Sequence, residues 1–517
     1  MAENLVSKFT LNSQGTDIDV KIKDEDARNL IAQEISDRSE EIIRVDGEIE
    51  AERKTRENED NAIRETLKKL DVYTTPEMFG AIGDGVTNDY DAITNAINSG
   101  LPVVFAAKSY KINTGITITS DGVVIIGTCD WGDKKTTIIS GDTNASVISI
   151  KGTSSRRIER CNISNINFTY ENAADQSAVS IEYANHTYIN KCSALNAKKG
   201  FRVYGTVRTL LDNCITLPPD GYTGEALGYV LGDDNDSFDG FAGANASLYL
   251  KQCLAVGYDN VNYFGYLISR ATSDVFMTDC EVSKCNVGLY IKSENTLTNT
   301  SKNNINIDHF VCDPYKQFGI YVQNQSFGSI RIVNSYFAPA TEVSDATAGI
   351  LFENSRGCFS VEGNQFIGSW IPVNNTVAHR AMALSGATGV YCANNMIKDI
   401  PLPVALYGDS SFCTFEDNIL ENIVRESQTD TYLLEGIDIN HIKINSTITG
   451  AGGAFKGSPV NMVSTNIKYV EINNININRF VFTQTTDNIM KFGDVKYDDI
   501  GLVESHPLIL VTGIMPV

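Results

Sequence analysis

From residue 160 onward the chain returns to one phrase: an apolar residue, two positions later a turn residue, then a small or polar residue followed by an apolar one. Ile332-Val333-Asn334-Ser335-Tyr336-Phe337 and Phe415-Glu416-Asp417-Asn418-Ile419-Leu420 are examples. Aligned, these phrases place Ile166, Cys192, Cys214, Cys253, Cys280, His309, Ser335, Asn364, Asn395, Asn418, His441 and Asn474 in one column, at a mean spacing of 28 residues. A repeat of this length that is rich in strand-forming phrases predicts an all-β solenoid, each repeat one coil of a right-handed parallel β-helix. At ~4.8 Å between stacked strands, the eleven steps amount to about 53 Å of helix.

The residue before the column is Asn, Asp or Gly in ten of the twelve coils: Asn165, Asn213, Asp279, Asp308, Asn334, Gly363, Asn394, Asp417, Asn440 and Asn473. These types best tolerate a left-handed backbone, so the position reads as a sharp corner between two strands, and Asp279, Asp308 and Asp417 read as bend formers rather than acids. The column itself then points inward, with four cysteines stacked above later asparagines and His309 and His441 in the same stack. Two positions on, Phe168, Val282, Val311, Phe337, Phe366, Ile397 and Leu420 are expected inside by strand alternation. The position between holds Ile215, Leu254, Phe310, Tyr336, Met396, Ile419, Ile442 and Ile475, more hydrocarbon than a free surface carries, which predicts a cover from neighbouring chains or from a long loop of the same chain.

Between about Ile22 and Leu70 the pattern changes to a proline-free run rich in Glu, Asp, Arg and Lys. Ile35, Ile42, Ile49, Ile63 and Leu70 fall on one heptad seam broken by Arg56, and Val45 and Leu67 partly fill the second. Isoleucine at such a seam disfavours dimers, so the stretch predicts an α-helical trimeric coiled coil, a rod of roughly 70 Å at ~1.5 Å per residue, with a single solvated helix as the alternative. The expected organisation is an attachment segment over 1–21, the stalk over 22–73, a capping helix and first coils over 74–160, the main β-helix over 161–424, and last coils with an apolar tail over 425–517. That tail, Pro507 to Met515, is expected to cap the lower end or to join the trimer contact.

After the heptads comes Phe79-Gly80-Ala81-Ile82-Gly83-Asp84-Gly85-Val86-Thr87-Asn88-Asp89-Tyr90-Asp91-Ala92-Ile93. It resembles the FGAxGDGxxDDxxAI opening of the pectate-lyase-like superfamily, as found in bacteriophage tailspikes and related glycan-active proteins, with Asn88-Asp89-Tyr90 departing from the usual adjacent acids. The resemblance implies a β-helix and a tailspike or tail fibre receptor-binding protein of the virion tail. It further implies a homotrimer that meets host cell-surface polysaccharide and joins other tail or baseplate proteins through its N-terminus. Read physically, Asp89 is placed to cap a helix carrying Ala92, Ile93, Ala96 and Ile97 on one face, which would plug the open end of the core.

The formal charge of −22 and pI near 4.7 argue against nucleic acid or an anionic membrane as partner. The first residues carry no apolar run and no eighteen apolar residues occur together, predicting neither signal peptide nor membrane span and assembly in a cytoplasm. Eleven cysteines without CxxC or Cys/His metal spacing predict buried free thiols, with no metal site and no cofactor. Cys192 and Cys214, on neighbouring coils, are the pair that approaches disulfide distance.

A second recurring strand includes Gly200-Phe201-Arg202-Val203-Tyr204, Gly288-Leu289-Tyr290-Ile291-Lys292, Gly319-Ile320-Tyr321-Val322-Gln323, Gly349-Ile350-Leu351-Phe352-Glu353 and Val404-Ala405-Leu406-Tyr407. Alternation sends Tyr204, Tyr290, Tyr321 and Tyr407 outward, with Tyr266 set beside them and with Arg202, Lys292, Gln323 and Glu353 near. Such a row suits sugar binding, the ring packing on a pyranose face and the hydroxyl bonding its neighbours, and it suits an interface equally. The interval from Cys214 to Cys253 holds about eleven extra residues, including the acidic stretch 232–240. Hydrolysis of a glycosidic bond needs two carboxyl groups roughly 5–9 Å apart. Asp233, Asp234, Asp236, Asp239, Glu281, Glu353 and Asp409 are the candidates, against a solvated loop or calcium-binding turn. Arg202 and Lys292 are the bases a lyase would use. A depolymerase, a purely adhesive fibre and a lyase all remain open at this point.

Overall fold

The computed structural model describes residues 7–11, 16–20, positions 29–30, 32–34, 36–38, 40, 44, 47, 50–56 and 58, and then 72–232, 245–259, 262–269, 272–292, 304–340, 347–368, 379–400, 402–408 and 410–421. Beyond these it describes the backbone of ten strands between 430 and 512. The chain divides into two units, Met1–Val72 and Tyr73–Val517.

In the first unit Ser7–Leu11 pairs antiparallel with Thr16–Val20. The described positions between 29 and 58 are helical. Ion pairs Arg38–Glu34 at 2.9 Å, Arg53–Glu50 at 2.7 Å and Arg56–Glu52 at 2.6 Å stand one turn apart on exposed helix, where they stabilise by only a few tenths of a kcal/mol each. The seam residues Ile35, Ile42, Val45, Ile49, Ile63, Leu67 and Leu70 lie outside the described residues. None of the described helices is long and apolar enough to cross a membrane.

The second unit opens on a 3-10 turn, Pro76–Phe79, whose Thr75 hydroxyl accepts from the Met78 amide. Helix Tyr90–Asn98 follows, burying Ala92, Ile93, Ala96 and Ile97 against the end of the core as expected. Asp89 departs from the expectation. Its carboxylate makes no cap bond to the helix and instead accepts from the amides of Ile82 at 2.7 Å and Gly83 at 3.0 Å. It is nearly fully buried, tying the glycine loop down while the helix begins on its backbone carbonyl. Asp84 does turn duty, accepting from the Val86 and Thr87 amides at 2.9 and 2.7 Å.

The coils that follow contribute strands to three parallel ladders. The first runs from Val124–Ile126 through Asn162–Ser164, Val207–Asp212, Asp274–Thr278 and Arg356–Glu362, and ends at Leu508–Thr512 paired with Ile489–Gly493. The apolar tail thus adds a further rung at positions 508–512. The second ladder includes Ile215–Leu217, Leu254–Val256, Glu281–Ser283 and Tyr336–Pro339. The third includes Glu225–Leu231, Asn262–Ile268, Cys285–Lys292, Thr347–Glu353, His379–Ser385 and Leu402–Tyr407. All pair parallel, coil upon coil, around one core cluster that extends from Ala81 to Leu420.

The corner between first and second sheets is left-handed, with positive φ at Asn165, Asn213, Asp279, Asn334, Gly363, Asn394 and Asp417, as the residue types require. Lys191, Gln252 and His309 adopt it too. His309 therefore corrects the alignment by one residue: it is the corner and points to solvent beside Asp308, its Nδ1 3.0 Å from Oδ1. Phe310 takes the inward place and is fully buried, Val311 moves outward in register with Tyr336, and Asp308 is an ordinary strand residue. Ile166, Cys192, Cys214, Cys253, Cys280, Ser335, Asn364, Asn395 and Asn418 are inward as expected, all buried, whereas His441 leaves the column: register sets Asn440 beside Ser411 and Ile442 beside Cys413, in the strand before the corner. Asn395 Nδ2 donates to Val361 O at 2.9 Å and to Asn418 Oδ1 at 2.8 Å, while its own Oδ1 accepts from Asn364 N and Nδ2, both at 3.0 Å. Each buried amide is satisfied by the rungs above and below. All eleven cysteines are free and nine are buried; Cys358 is exposed and Cys129 half-buried, so these two are not core residues.

A glycine column, 228, 265, 288, 319 and 349, marks the bend from second to third sheet. A Cβ on Gly288 would lie 2.4 Å from Cys312 Sγ and 2.5 Å from Gly319 O, and the other members meet the next coil as closely. Only hydrogen fits there.

Candidate functional site

Past the glycine bend the third sheet presents two outward columns. Register aligns Arg202, Val230, Leu267, Tyr290, Tyr321, Leu351, Ala383 and Ala405 in one. The other holds Lys292, Gln323, Glu353, Ser385 and Tyr407. Because the bend folds the outer surface toward itself, side chains three residues apart meet across it. Phe318 lies 5.1 Å from Tyr321, and Leu227, Val230 and Leu267 form a small apolar cluster with Phe264 and Tyr290, separate from the main core.

Tyr290 and Tyr321 stack at 4.9 Å with 5° between their planes. Rings stacked rung on rung lie across the helix axis, so they spend their faces on each other and turn edges and hydroxyls outward. Phe264, 6.2 Å from Tyr290 in the preceding coil, closes the upper side. The face-on sugar packing expected from the tyrosine row is therefore replaced by a polar edge. Tyr290 Oη donates to Gln323 Oε1, Tyr321 Oη donates to Glu353 Oε2, and Gln323 Nε2 donates to the same oxygen at 2.8 Å. Burial first, then the bond to the Glu353 carboxylate, push the Tyr321 hydroxyl well above the usual phenol range, keeping it a proton donor.

The other candidates separate. Tyr266 is a correction: it sits fully buried, stacked on Tyr229 at 4.7 Å, with its hydroxyl donating to Cys253 O at 2.6 Å. It occupies the place directly after the glycine, where Leu289 and Ile320 also point inward. Tyr204 is only 8% exposed, edge-on to Tyr183 at 5.5 Å, and Arg202 lies over its ring at 5.2 Å while pairing with Glu182 at 2.7 Å. These two close the upper end of the face on themselves. Lys292 is half-buried in register with Gln323. Tyr407 is half-buried beneath the Arg380 guanidinium, 5.4 Å from the ring centroid. Glu281 is exposed, but on the outer face of the second sheet, between Leu254 and Val311, not with Glu353. Asp233, Asp234, Asp236, Asp239 and Asp409 lie outside the described residues.

Phe264, Phe318 and Arg380 belong to this face and were not anticipated. The signal was available, since each stands three positions before a member of the first outward column, Leu267, Tyr321 and Ala383, but it has meaning only once the bend is known.

Three parallel ladders wound about one core, closed at one end by a short amphipathic helix, define a parallel β-helix. Among solved structures the fold is similar to tailspike protein 3 of bacteriophage CBA120, with a TM-score of 0.50 and 13% identity over 87% of this chain and 62% of that one. PfbA, a surface adhesin of Streptococcus pneumoniae, aligns over 77% of this chain and 93% of its own with 14% identity and a TM-score of 0.47. In sequence, a 33-residue stretch is 67% identical to a capsule-specific depolymerase of Klebsiella phage K64-1, covering 6% of this chain and 4% of that protein. No family model matches the chain.

Proposed function

We infer that this chain is a receptor-binding tailspike of a bacteriophage tail that recognises host cell-surface polysaccharide along the outer face of its third sheet and hydrolyses a glycosidic bond in it. One observation carries the reading: the edge formed by Tyr290, Gln323, Tyr321 and Glu353, a hydroxyl, amide and carboxylate set of the kind that matches the hydroxyls of a glycan, on a fold of tailspike type. The short match to a capsule depolymerase supports the same direction. Glu353 accepts two bonds on one oxygen, which suits a base or nucleophile and not a proton-donating acid. The acid is then expected from 233–239 or from Asp409. Three copies would surround a common axis, with the helical stalk and the N-terminal segment joining other tail or baseplate proteins.

A second reading, an adhesive fibre without turnover, is favoured by one fact. Of the described candidate carboxylates, Glu353 alone stands on this face. Incubating the purified protein with a panel of bacterial capsular, O- and teichoic polysaccharides decides between them. New reducing ends that vanish in Glu353→Ala support hydrolysis, unsaturated products point to a lyase, binding with no new ends gives the adhesive reading, and no binding to any polymer removes both.

A further inference from the structure

Residues 151–208, among the first coils of the β-helix, carry nine Lys or Arg against four Asp or Glu, in a chain whose formal charge is −22. Several of these cations are paired within the fold: Lys198 with Asp175, Lys151 and Arg202 with Glu182, and Arg156 with Asp121. Arg160 and Arg208 are different. With His186 between them they stand on successive rungs where the third sheet gives way to the first, all three exposed and all three with a left-handed backbone, at φ 59°, 52° and 55° in chain order. Among the described residues Glu159 is the carboxylate that serves this corner. It accepts from Asn185 Nδ2 at 2.7 Å, and its other oxygen stands 3.2 Å from His186 Nδ1. Arg208 Nη1 lies 3.2 Å from His186 Nε2; since a guanidinium only donates, Nε2 accepts, the ring proton sits on Nδ1 and the imidazole is neutral. Arg208 thus spends one N–H on an uncharged acceptor, while Arg160 reaches Glu159 only through its field. Arg157, donating to the Gly205 carbonyl in the Arg208 coil, adds its charge beside them.

We propose that Arg160 and Arg208 bind a phosphate group carried by the host surface polymer, so that the glycan recognised by this chain is phosphate-bearing. One guanidinium comes from the rung above His186 and one from the rung below, and the two can close on a single anion from different directions. Phosphate oxygens accept from directions all round the phosphorus, whereas the two oxygens of a carboxylate lie in one plane and are met by one arginine fork. The local excess of positive charge offsets repulsion from the acidic remainder of the chain, which still selects against a densely charged polymer such as nucleic acid. Along the axis the Arg208 coil lies three rungs above Tyr290, about 14 Å at ~4.8 Å per rung, so one polymer can touch both this corner and the polar edge of the third sheet. This assignment rests on the glycan-binding reading above and adds the substituent that the glycan carries.

The test uses the full chain and three immobilised sets of bacterial capsular polysaccharide: bearing pendant glycerol phosphate, bearing uronate at similar charge density, and neutral. Each phosphate-bearing polymer is also presented after cold aqueous hydrogen fluoride, which removes the phosphodiester and leaves the glycosidic backbone. The expected result is binding to a phosphate-bearing polymer that weakens at least about tenfold on dephosphorylation and by a similar factor in the double variant Arg160→Asn with Arg208→Asn, as loss of hydrogen-bonded charges predicts. Asparagine suits the left-handed backbone at both positions, so the charge is lost without strain at the corner, and matching thermal unfolding separates binding from folding. Arg331→Gln with Arg356→Gln, which removes the same charge at two exposed arginines elsewhere, should leave binding unchanged. Unchanged binding by the double variant, an equal loss in the control pair, equal binding of the dephosphorylated polymer, or preference for uronate or neutral polymers overturns the assignment and leaves glycan recognition standing. Failure to bind any set removes both.

Discussion

Asn395 shows what one inner amide contributes. Its side chain makes four bonds to the adjacent coils, so Asn395→Ala leaves several buried donors and acceptors unpaired, at about 1–3 kcal/mol each when no water replaces the partner. A loss of about 3 kcal/mol or more is expected, read as a lower denaturation midpoint; a shift under about 0.5 kcal/mol would mean that the ladder is not structural. The thiols give a second prediction. Burial holds Cys161 up at about 11 and Cys192 at about 12, against 9.0 for a free group, so both stay protonated and unreactive in the fold. In native protein only Cys358 and, more slowly, Cys129 should react with a thiol reagent, the other nine requiring unfolding. The sign for stability follows. These groups are raised in the folded state, so their contribution is complete below pH ~9, where the unfolded thiols hold their protons, and it is lost as pH rises toward ~11–12. Titration of stability over that window, compared with Cys192→Ser, checks it.

At the scale of elements the glycine bend decides most. Gly288→Ala places a methyl against Cys312 and against the Gly319 carbonyl, and loss of soluble protein or a destabilisation of about 3 kcal/mol or more is expected. Ala381, which takes the glycine position one coil after Gly349, should tolerate Ala381→Gly at about 0.5–1 kcal/mol. The same bend marks where reading the sequence ran out. Corners made by Asn, Asp and Gly were legible because these residues favour the left-handed region. Lys191, Gln252 and His309 have no such preference, and the coil at 309 was consequently set one residue out of register, exchanging Phe310 with Val311. Glu353, Gln323, Tyr290 and Tyr321 were legible as one outward group, since alternation alone places them. That the tyrosines would show edges and not faces follows from the spacing of the rungs and from rings packed on both sides, neither of which one strand reveals.

For the whole molecule, the outer face of the second sheet sets the expectation. Under the loop that carries Asp130 this face is polar, with Ser193 Oγ donating to Asp130 O at 3.2 Å, and further down it holds Ile215, Leu254, Tyr336, Met396 and a 45% exposed Ile419. Light scattering should return three times the 56.6 kDa chain mass, and Ile419→Asp with Tyr336→Asp should shift it toward single chains. A monomer of unaltered solubility would count against three-fold assembly. The inner corner column has a consequence at this scale as well. An isoleucine heads it, four thiols, a phenyl ring and a serine follow, and asparagines come last among the described coils, so windings that are nearly alike carry different labels along the stack. A chain that wound itself one turn late would set the serine hydroxyl where the phenyl ring belongs and an amide where the hydroxyl belongs, stranding polar hydrogens in a dry interior. Such a gradation acts as numbering, and it disfavours miscounting in a molecule assembled from near-copies of one motif.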